Sequence, residues 1–278
     1  MGYGKGITYR KNLRKNIVLF DMDGTLTEAR RPIGIVMVKV LRELISQDEL
    51  AHQRPSVEIG VVTGSDLVYV KEQMKPLFEK DYDLAKRIHW LPCNGTKYYK
   101  FDGDWEILHS VDMRASLGAE GFRDVMKELC AQQEHISSNR IPLTGHFINY
   151  RGSMINWCPI GRNANEKDRE EFEKIDKDFK SGGLRRNYLL RLKRNPIFSK
   201  VVCKLGGDTS FDIYPIGWDK TYCLKYFEEY NKYFIGDRCH PDGNDYEIFK
   251  SLNPCSWETK HPQQTMELIN ENIYPLIG

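Results

Sequence analysis

The chain alternates short apolar runs with longer amphipathic stretches, and this alternation predicts a sheet that is covered by helices. Unbroken apolar runs of a few residues, each followed by polar residues, occur at 16–20, 57–62, 88–92 and 233–236. Runs of this length are typical of strands that are buried on both faces of a parallel sheet.

Amphipathic stretches follow the first two runs and predict two helices. In 33–46 the apolar positions at helical spacing are Val36, Val40, Leu41 and Ile45. In 66–78 they are Leu67, Val70, Met74 and Leu77. Strands that alternate with helices of this length predict an α/β fold with a parallel sheet covered on both sides.

The pattern changes in the middle of the chain, where we expect an α+β cap domain inserted into the α/β core. The elements predicted there are a helix, a hairpin, a charged amphipathic helix and a strand, at 119–133, 145–160, 165–180 and 209–215. The hairpin is expected to turn at the glycine and serine of 152–153. We therefore expect 1–112 and 217–278 to form the core and 113–216 to form the cap.

The composition excludes several classes of protein. Among 278 residues, 41 are Lys or Arg and 39 are Asp or Glu, so no bulk charge favours a nucleic-acid or membrane partner. The seven cysteines are scattered without a C-x-x-C pair, which is typical of reduced thiols. The basic N-terminus has no apolar segment of a secretory signal, and no stretch approaches the roughly 20 apolar residues of a membrane span. We expect a soluble, cytoplasmic protein.

One basic stretch, RRNYLLRLKRNP at 185–196, stands apart from this balance. It could contact RNA or a membrane, but a solvated helix of the cap is the simpler interpretation.

Two acids follow the first apolar run at once. Asp21 falls at the carboxyl end of the predicted strand, where ligands bind in open α/β sheets, and Asp23 lies two residues further on. Gly24 allows the chain to turn sharply away. Two carboxylates this close are unfavourable unless a cation or a proton compensates them. A calcium loop would need further ligands that are absent, and a turn with two solvated acids is the other alternative.

Polar side chains also follow two other predicted strands. The turn T-G-S-D at 63–66 offers the hydroxyls of Thr63 and Ser65 to a phosphate. An N-cap role of Ser65 or Asp66 for the following helix explains the same residues equally well. Asp237 ends the last of the four apolar runs, and Asp242 and Asp245 follow on a loop. Acids at two strand ends of one sheet can converge on Mg²⁺, which prefers hard oxygen ligands.

Basic residues complete the set of candidate groups. Lys220 follows the cap, and by itself it is more typical of a surface lysine. Arg30 follows the first acidic motif, and Arg151, Arg162 and Arg169 lie in the cap. The guanidinium fork matches phosphate oxygens, so the four arginines together indicate a phosphate ligand. Each alone has a plainer interpretation, such as a helix ion pair of Arg169.

In this order, the motifs resemble the haloacid dehalogenase superfamily of phosphotransferases. The resemblance implies that Asp21 attacks phosphorus and forms an aspartyl-phosphate, while Asp23 acts as the general acid/base. It further implies Mg²⁺ bound by Asp21, the backbone carbonyl of Asp23 and Asp237, with Asp245 nearby.

The same resemblance assigns the groups that neutralise the phosphoryl group during transfer. They would be Lys220 and a hydroxyl from either Thr63 or Ser65.

Over nearly its full length the chain is similar to the eukaryotic-type phosphomannomutases. The matching segments are FDMDGTLT, GVVTGSD, MINWCPIGR, SFDIYPIGWDK and GDRCHPDGNDYEIF. The resemblance implies interconversion of mannose 6-phosphate and mannose 1-phosphate, for GDP-mannose synthesis, through a hexose 1,6-bisphosphate that also serves as activator. It implies a homodimer formed through the cap.

The resemblance also assigns the substrate contacts. Phosphate or sugar contacts are implied for Arg30, Arg151, Arg162 and Arg169, and sugar-hydroxyl contacts for Ser210 and Asp212.

The chain departs from the family at several positions. Its turn reads T-G-S-D where the family usually has G-G-S-D, so either hydroxyl could bind the phosphate. Ser251 replaces an acid of a second, peripheral metal site, and we do not expect that site here. The stretches near 47–56 and 186–200 are insertions relative to the family.

Two other functions use the same motifs differently. A sugar-phosphate phosphatase would pass the phosphoryl group from Asp21 to water. A binding protein on an inactive scaffold would lack one of the four central charged residues, and all are present: Asp21, Asp23, Lys220 and Asp237.

Overall fold

The computed structural model of the protein describes residues 14–46, 56–179 and 182–277. The insertion expected at 47–56 and the basic N-terminal stretch lie almost wholly outside the described residues.

Strands and helices alternate through the first part of the chain. The described strands are, in chain order, β1 (Asn16–Phe20), β2 (Val57–Val62), β3 (His89–Leu91), β4 (Lys97–Asp102), β5 (Asp104–Ser110), β6 (Ile148–Tyr150), β7 (Ile155–Trp157), β8 (Val201–Gly206), β9 (Ser210–Pro215), β10 (Asn231–Gly236) and β11 (Ser256–Glu258). The described α-helices are α1 (Ile35–Ser46), α2 (Leu67–Gln73), α3 (Lys75–Lys80), α4 (Tyr82–Arg87), α5 (Met113–Ser137), α6 (Glu166–Asp178), α7 (Leu184–Arg194), α8 (Tyr246–Leu252), α9 (Pro262–Leu268) and α10 (Tyr274–Ile277). Short 3₁₀ helices cover Pro196–Lys200 and Lys220–Phe227, and a π-helical turn covers Ile269–Ile273.

The core is a sheet of seven strands in the order β11-β10-β1-β2-β3-β4-β5. Pairing is parallel from β11 to β3, and β4 and β5 add an antiparallel hairpin at one edge. The four apolar runs predicted as strands are all strands of this sheet. The α/β fold class is that expected from the sequence.

The central strand β1 is buried on both faces. Val18 and Phe20 pack with α1 on one side of the sheet. On the other side, Ile17 and Leu19 belong to an apolar cluster that includes Phe227 and Ile248. Burial of large aliphatic side chains stabilises the fold by about 1.5–3 kcal/mol each. The end of β1 is therefore a rigid base for whatever follows it.

The first predicted helix forms, but the prediction that Val36 is buried in the core is wrong. Val36 is 58% exposed. The residues that α1 buries are Met37, Val38, Leu41, Leu44 and Ile45. The sequence IVMVKVLRELIS is apolar around most of the helix, so periodicity alone did not distinguish the buried face.

The second predicted helix is divided into two. It ends at Gln73 as α2, and α3 begins at Lys75. Pro76 has no N–H to continue the α-helical hydrogen bonds, which accounts for a new helix start at this point. The predicted stripe keeps its place, because Val70, Met74 and Leu77 are buried.

The middle of the chain forms a second, antiparallel sheet in the order β6-β7-β9-β8. The predicted hairpin at 145–160 is the β6–β7 pair, and the predicted strand at 209–215 is β9. The helices α5, α6 and α7 pack on this sheet around Trp157, Phe172 and Phe211. The basic stretch at 185–196 is largely α7, a helix of this layer, as the simpler interpretation expected.

No helix within the described ranges is both long enough and apolar enough to span a lipid bilayer.

Candidate active site

Three neighbouring strands of the core sheet end beside one cleft. In the register of the sheet, Phe20 pairs with Val61 on one side and with Ile235 on the other. Asp21, Thr63 and Asp237 therefore leave the sheet side by side at its carboxyl edge. All three line a cleft of 490 Å³ that lies between the core and the second sheet.

A buried lysine lies among the carboxylates of this cleft. The Nζ of Lys220 donates hydrogen bonds to Asp21 and, at 2.5 Å, to Asp245 Oδ1. Lys220 and Asp245 are both fully buried. Burial would lower the pKa of Lys220, but the charges of Asp21 and Asp245 outweigh it and raise that pKa, so the amine stays protonated. The sequence alone had favoured a surface position for Lys220.

The carboxylates outnumber the cations beside them, which are Lys220 and Arg238, whose Nε lies 3.7 Å from Asp237 Oδ2. Oxygens of Asp21, Asp237 and Asp245 lie within 4.8 Å of one another. Burial raises the pKa of Asp21, Lys220 opposes that rise, and the charges of Asp245 and Asp237 add to it. Burial, and then Asp245, raise the pKa of Asp237 to about 7. A cluster of hard oxygens with excess negative charge fits a divalent cation such as Mg²⁺.

Two further features bear on this cluster. A side chain at Gly24, which has a φ of +82°, would collide with the carboxylate of Asp237, so glycine is required where the two loops meet. Asp242, which the sequence placed with the other acids, points elsewhere, because its Oδ1 lies 3.7 Å from Lys193 Nζ of α7.

Asp23 lies at the mouth of the same cleft. Its Oδ1 accepts hydrogen bonds from the Tyr69 hydroxyl at 2.9 Å and from the Arg30 backbone N–H at 3.1 Å. Burial, and then the charge of Asp23, raise the pKa of Tyr69, so the hydroxyl stays a protonated donor.

The T-G-S-D turn brings both candidate hydroxyls to the cleft. Thr63 is buried, and its Oγ1 accepts a hydrogen bond from the Ser65 N–H at 3.1 Å. The N-cap of α2 is Asp66, whose carboxylate accepts a hydrogen bond from Tyr69 N at 3.0 Å. Because Asp66 supplies the cap, neither hydroxyl is needed for it, and Thr63 and Ser65 both line the cleft.

Arginines from both the core and the second layer line the cleft as well. Arg30 comes from the core loop after β1, Arg162 follows β7, and Arg169 lies on α6. Burial lowers the pKa of Arg162, and the nearby charge of Arg151 lowers it further. Burial also lowers the pKa of Arg169, where the charge of Arg30 adds to the effect. Cations that are crowded and partly desolvated in this way favour an anionic ligand.

Arg169 and Arg151 are held by different parts of the protein. Arg169 donates from Nη1 to Thr209 Oγ1 at 2.8 Å and from Nε to the Ala164 carbonyl at 3.0 Å. Arg151 is buried and donates from Nη1 to the Gly64 carbonyl at 2.6 Å. Arg151 thus connects the second sheet to the turn that carries Thr63 and Ser65.

The two predicted sugar contacts lie on β9 and face the cleft. Ser210 and Asp212 are buried, and Asn156 donates from Nδ2 to both, at 3.0 Å and 2.8 Å. Asn156 also accepts from Arg162 Nη1 at 3.3 Å. One amide thus aligns the polar groups of β9 with an arginine.

Sequence reasoning missed several residues of the site. Tyr69, Asn156 and Thr209 are neutral side chains that contact the charged ones, and Arg238 is also part of the cleft lining. A signal existed for Asn156, since it is the one polar residue of the otherwise apolar strand I-N-W. Tyr69 and Thr209 carried no comparable signal.

Solved structures of other proteins share this fold. IMP-bound Plasmodium falciparum IMP-nucleotidase aligns with a TM-score of 0.56 and 13% identity over 94% of this chain and 68% of its own. The C-terminal domain of C. albicans trehalose-6-phosphate phosphatase aligns with a TM-score of 0.55 and 16% identity over 95% and 94% of the two chains. The likeness confirms the expected fold class, an α/β core built on a parallel sheet with an α+β unit inserted into it.

Sequence comparison is more specific. The family model for eukaryotic phosphomannomutase matches residues 46–275. A phosphomannomutase of Nicotiana benthamiana is 35% identical over 259 residues, covering 92% of this chain and 94% of the relative. One from Spinacia oleracea is 36% identical over 257 residues, with the same two coverages. The chain therefore belongs to the eukaryotic phosphomannomutase family.

Proposed function

We propose that this enzyme interconverts mannose 6-phosphate and mannose 1-phosphate through a hexose 1,6-bisphosphate. The observation that carries the proposal is a single cleft with two chemically different walls. On one wall Asp21 is paired with Lys220, and on the other Arg162 and Arg169 face inward. A substrate with a phosphate at each end would find a reacting site at one wall and a binding site at the other.

In the proposed chemistry, an oxygen of Asp21 attacks phosphorus and the bond from phosphorus to the sugar oxygen breaks. Asp23 gives a proton to the departing oxygen, and takes it back when the other sugar hydroxyl attacks the aspartyl-phosphate. Lys220 lies at Asp21, where it would offset the negative charge of the transferred group.

The remaining residues bind and orient the sugar. Arg162, Arg169 and Arg30 would hold the phosphate that is not reacting, while Arg151 secures the cap to the turn with Thr63 and Ser65. Asp212 would accept hydrogen bonds from sugar hydroxyls, and the hydroxyl of Ser210 would exchange hydrogen bonds with them. The bisphosphate must turn over between its two transfers, so the same arginines would bind either phosphate.

A metal and an activator belong to this proposal. Asp21, Asp237 and the backbone carbonyl of Asp23 would hold Mg²⁺, with Asp245 behind them, and the ion would supply charge stabilisation at the phosphoryl oxygens. A hexose 1,6-bisphosphate would activate the enzyme by phosphorylating Asp21.

A coupled assay on mannose 1-phosphate tests the function. Isomerisation should require Mg²⁺ and rise on addition of a hexose 1,6-bisphosphate, and little phosphate should be released. Phosphate release without isomerisation would instead identify a sugar-phosphate phosphatase.

We further propose that 113–216 acts as the cap, that two chains dimerise through it, and that the enzyme works in the cytoplasm. All seven cysteines lie in the described ranges and are unpaired, which is compatible with a reducing compartment. Sedimentation equilibrium of the full chain at micromolar concentration should give the mass of two chains. A strictly monomeric protein would refute the dimer.

A further inference from the structure

One oxygen of the proposed general acid/base is held from two sides. The hydroxyl of Tyr69 and the backbone N–H of Arg30 both donate to Oδ1 of Asp23, at 2.9 Å and 3.1 Å. Neither bond uses Oδ2, so Oδ2 is the oxygen left to exchange a proton with a substrate. Two donors at one oxygen also fix the rotation of the carboxylate.

Tyr69 is itself fixed at both ends. Its backbone N–H donates to the carboxylate of Asp66, the N-cap of α2, at 3.0 Å. Its ring is partly buried in the wall of the cleft, and its hydroxyl reaches across to the loop after β1. The contact therefore joins the first turn of α2 to the proposed acid/base in the turn after β1.

The Arg30 donor depends on an unusual backbone. Arg30 has a φ of +61°, in the left-handed region that residues other than glycine seldom adopt. Such conformations occur where the surrounding structure imposes them, often at functional sites. Both donors to Oδ1 are thus placed by defined local structure.

We propose that Tyr69 is a positioning residue for Asp23, which it orients so that Oδ2 faces the oxygen that leaves from or attacks phosphorus. The proposal rests on the acid/base role given to Asp23 above. When the bond from phosphorus to a sugar oxygen breaks, that oxygen takes the proton of Asp23 while the bond from Asp21 to phosphorus forms. Misorientation of Asp23 would deprive the sugar oxygen of this proton.

The chemistry of the leaving group supplies a selective test. A sugar oxygen leaves as a strong base and needs the proton, whereas dinitrophenolate leaves readily without one. We therefore compare phosphorylation of the full-length enzyme by a hexose 1,6-bisphosphate and by 2,4-dinitrophenyl phosphate, using rapid quench for the first and the burst of dinitrophenolate for the second.

Tyr69→Phe removes only the hydroxyl. Phosphorylation by the hexose bisphosphate should slow by about ten- to a hundredfold, the typical worth of a hydrogen bond to a charged group, with KM changed by less than about twofold. The dinitrophenolate burst should stay within about twofold of wild type. Tyr82→Phe is the matched control, because the Tyr82 hydroxyl also donates to an aspartate, Asp102, at 2.8 Å, but on the exposed surface. It should change neither rate.

Equal slowing with both substrates would overturn the proposal, since it would mean that Tyr69 supports the fold or the phosphoryl site in general. An unchanged or faster rate with the hexose bisphosphate would overturn it as well. Thermal denaturation checks that Tyr69→Phe is folded. If it is not, Tyr69→Leu is tested in its place and judged by the same criteria.

The same measurements distinguish a failure of the Tyr69 role from a failure of the proposed function. In Asp23→Asn, the rate of phosphorylation should depend more strongly on the leaving group than in any other variant. If Asp23→Asn showed no such dependence, Asp23 would not be the acid/base, and the role of Tyr69, which depends on it, would be rejected too. Wild-type enzyme that releases phosphate without isomerising would reject the mutase. The role of Tyr69 would still be decided, because the comparison is scored on phosphorylation of Asp21 alone.

Discussion

At the scale of single residues, Lys220 allows the acids of the cleft to lie close together. Its amine bridges Asp21 and Asp245 with no exposure to solvent. Loss of one partner from a buried charge pair costs far more than loss of a surface pair. Lys220 thus has a structural function in the resting enzyme beside the catalytic one proposed for it.

Asp21→Asn tests the nucleophile. An amide keeps the shape and one oxygen of the side chain but is too weak a nucleophile to attack phosphorus, so phosphoryl transfer and the trapped phosphoenzyme should both be lost. Rapid quench with labelled hexose bisphosphate measures this. Asp83→Asn, at an exposed position of α4, should trap as much label as wild type. Normal turnover of Asp21→Asn would refute the assignment of Asp21 as the nucleophile.

The sequence predicted the charged residues of the site better than their neutral neighbours. Asp21 and Asp237 could be predicted because strand ends in a parallel sheet meet at one edge, whatever the rest of the fold does. Asn156 and Tyr69 act by contacting charged groups from other parts of the chain. Such contacts depend on how the second sheet and the turn after β2 pack, which local patterning does not contain.

At the scale of elements, β7 and α6 bring Arg162 and Arg169 to the cleft from positions only seven residues apart. The backbone between them is fixed in part by Arg169 itself, whose Nη2 donates to the carbonyl of Arg162 at 3.3 Å. In the proposed mechanism the two side chains would bind one phosphate together, and loss of the Arg169 side chain should also disturb the backbone at Arg162.

Arg162→Ala and Arg169→Ala should separate isomerisation from hydrolysis. Each loses charge-assisted bonds to phosphate worth about 1.5–3 kcal/mol, so isomerisation should fall by about ten- to a hundredfold. Phosphate release should fall less, because water still reaches phospho-Asp21. Both products are measured from one labelled hexose bisphosphate. Arg123→Ala, on the exposed side of α5, is the control, and an unchanged product ratio in both cleft variants would remove these arginines from the mechanism.

The far end of the core sheet contains a separate polar network. Glu58 of β2 accepts from the ring of His89 of β3 at 2.7 Å, and Tyr98 lies 2.6 Å from the other ring nitrogen. Burial would raise the pKa of Glu58, but hydrogen bonds from His89 and Lys15 outweigh it and hold the pKa at about 2. Burial lowers the pKa of His89, so the ring is neutral and donates from Nε2.

This network predicts acid sensitivity. Because both pKa values are lowered in the folded state, the unfolded chain takes up protons first as the pH drops. The free energy of unfolding should therefore fall below about pH 6.5, the ordinary pKa of histidine. It should fall again below the ordinary pKa of glutamate, toward the lowered pKa of Glu58. Urea unfolding at several pH values measures the free energy of unfolding. His89→Gln should flatten the decline between about pH 7 and about pH 5, whereas exposed His240→Gln should leave it unchanged. Equal slopes in wild type and His89→Gln would contradict this.

Secondary structure was predictable where burial is two-sided and less so elsewhere. The four core strands were found because a short, continuous apolar run between polar turns is typical of a strand buried on both faces. The β4–β5 hairpin was missed because exposed edge strands carry mixed polarity, although Asp102-Gly103 at its turn is a typical hairpin signal. The face of α1 was misassigned at Val36 because apolar residues surround that helix.

At the scale of the whole molecule, two ion pairs connect the second sheet to the loop that carries Asp237 and Asp245 and to the helix α8 that follows it. Lys204 of β8 lies 2.7 Å from Glu247 of α8 and is almost completely buried. Asp208, in the turn between β8 and β9, lies 2.7 Å from Arg238 and is half exposed. Both pairs would hold the cleft closed over a bound sugar phosphate and so exclude water.

Because the two ion pairs differ in burial, we expect their loss to change the ratio of phosphate release to isomerisation by different amounts. Asp208→Asn should raise the ratio of phosphate release to isomerisation by no more than about fivefold, since exposed pairs contribute at most about 1 kcal/mol. Lys204→Met leaves Glu247 without its ammonium partner and should raise the ratio by about tenfold or more. Screening at about 0.5 M salt should bring wild type to the level of Asp208→Asn but not to that of Lys204→Met.

The same labelled bisphosphate assay, at low and high salt, measures these ratios. Lys127→Met removes a lysine from the exposed face of α5 and controls for the loss of one positive charge in Lys204→Met. A larger effect of Asp208→Asn than of Lys204→Met would contradict the ranking by burial. If neither variant changed the ratio, closure would have to depend on other contacts between the two parts of the protein, such as the ion pair of Lys193 with Asp242 at 3.7 Å or the hydrogen bond from Thr96 to Ser153 at 2.6 Å.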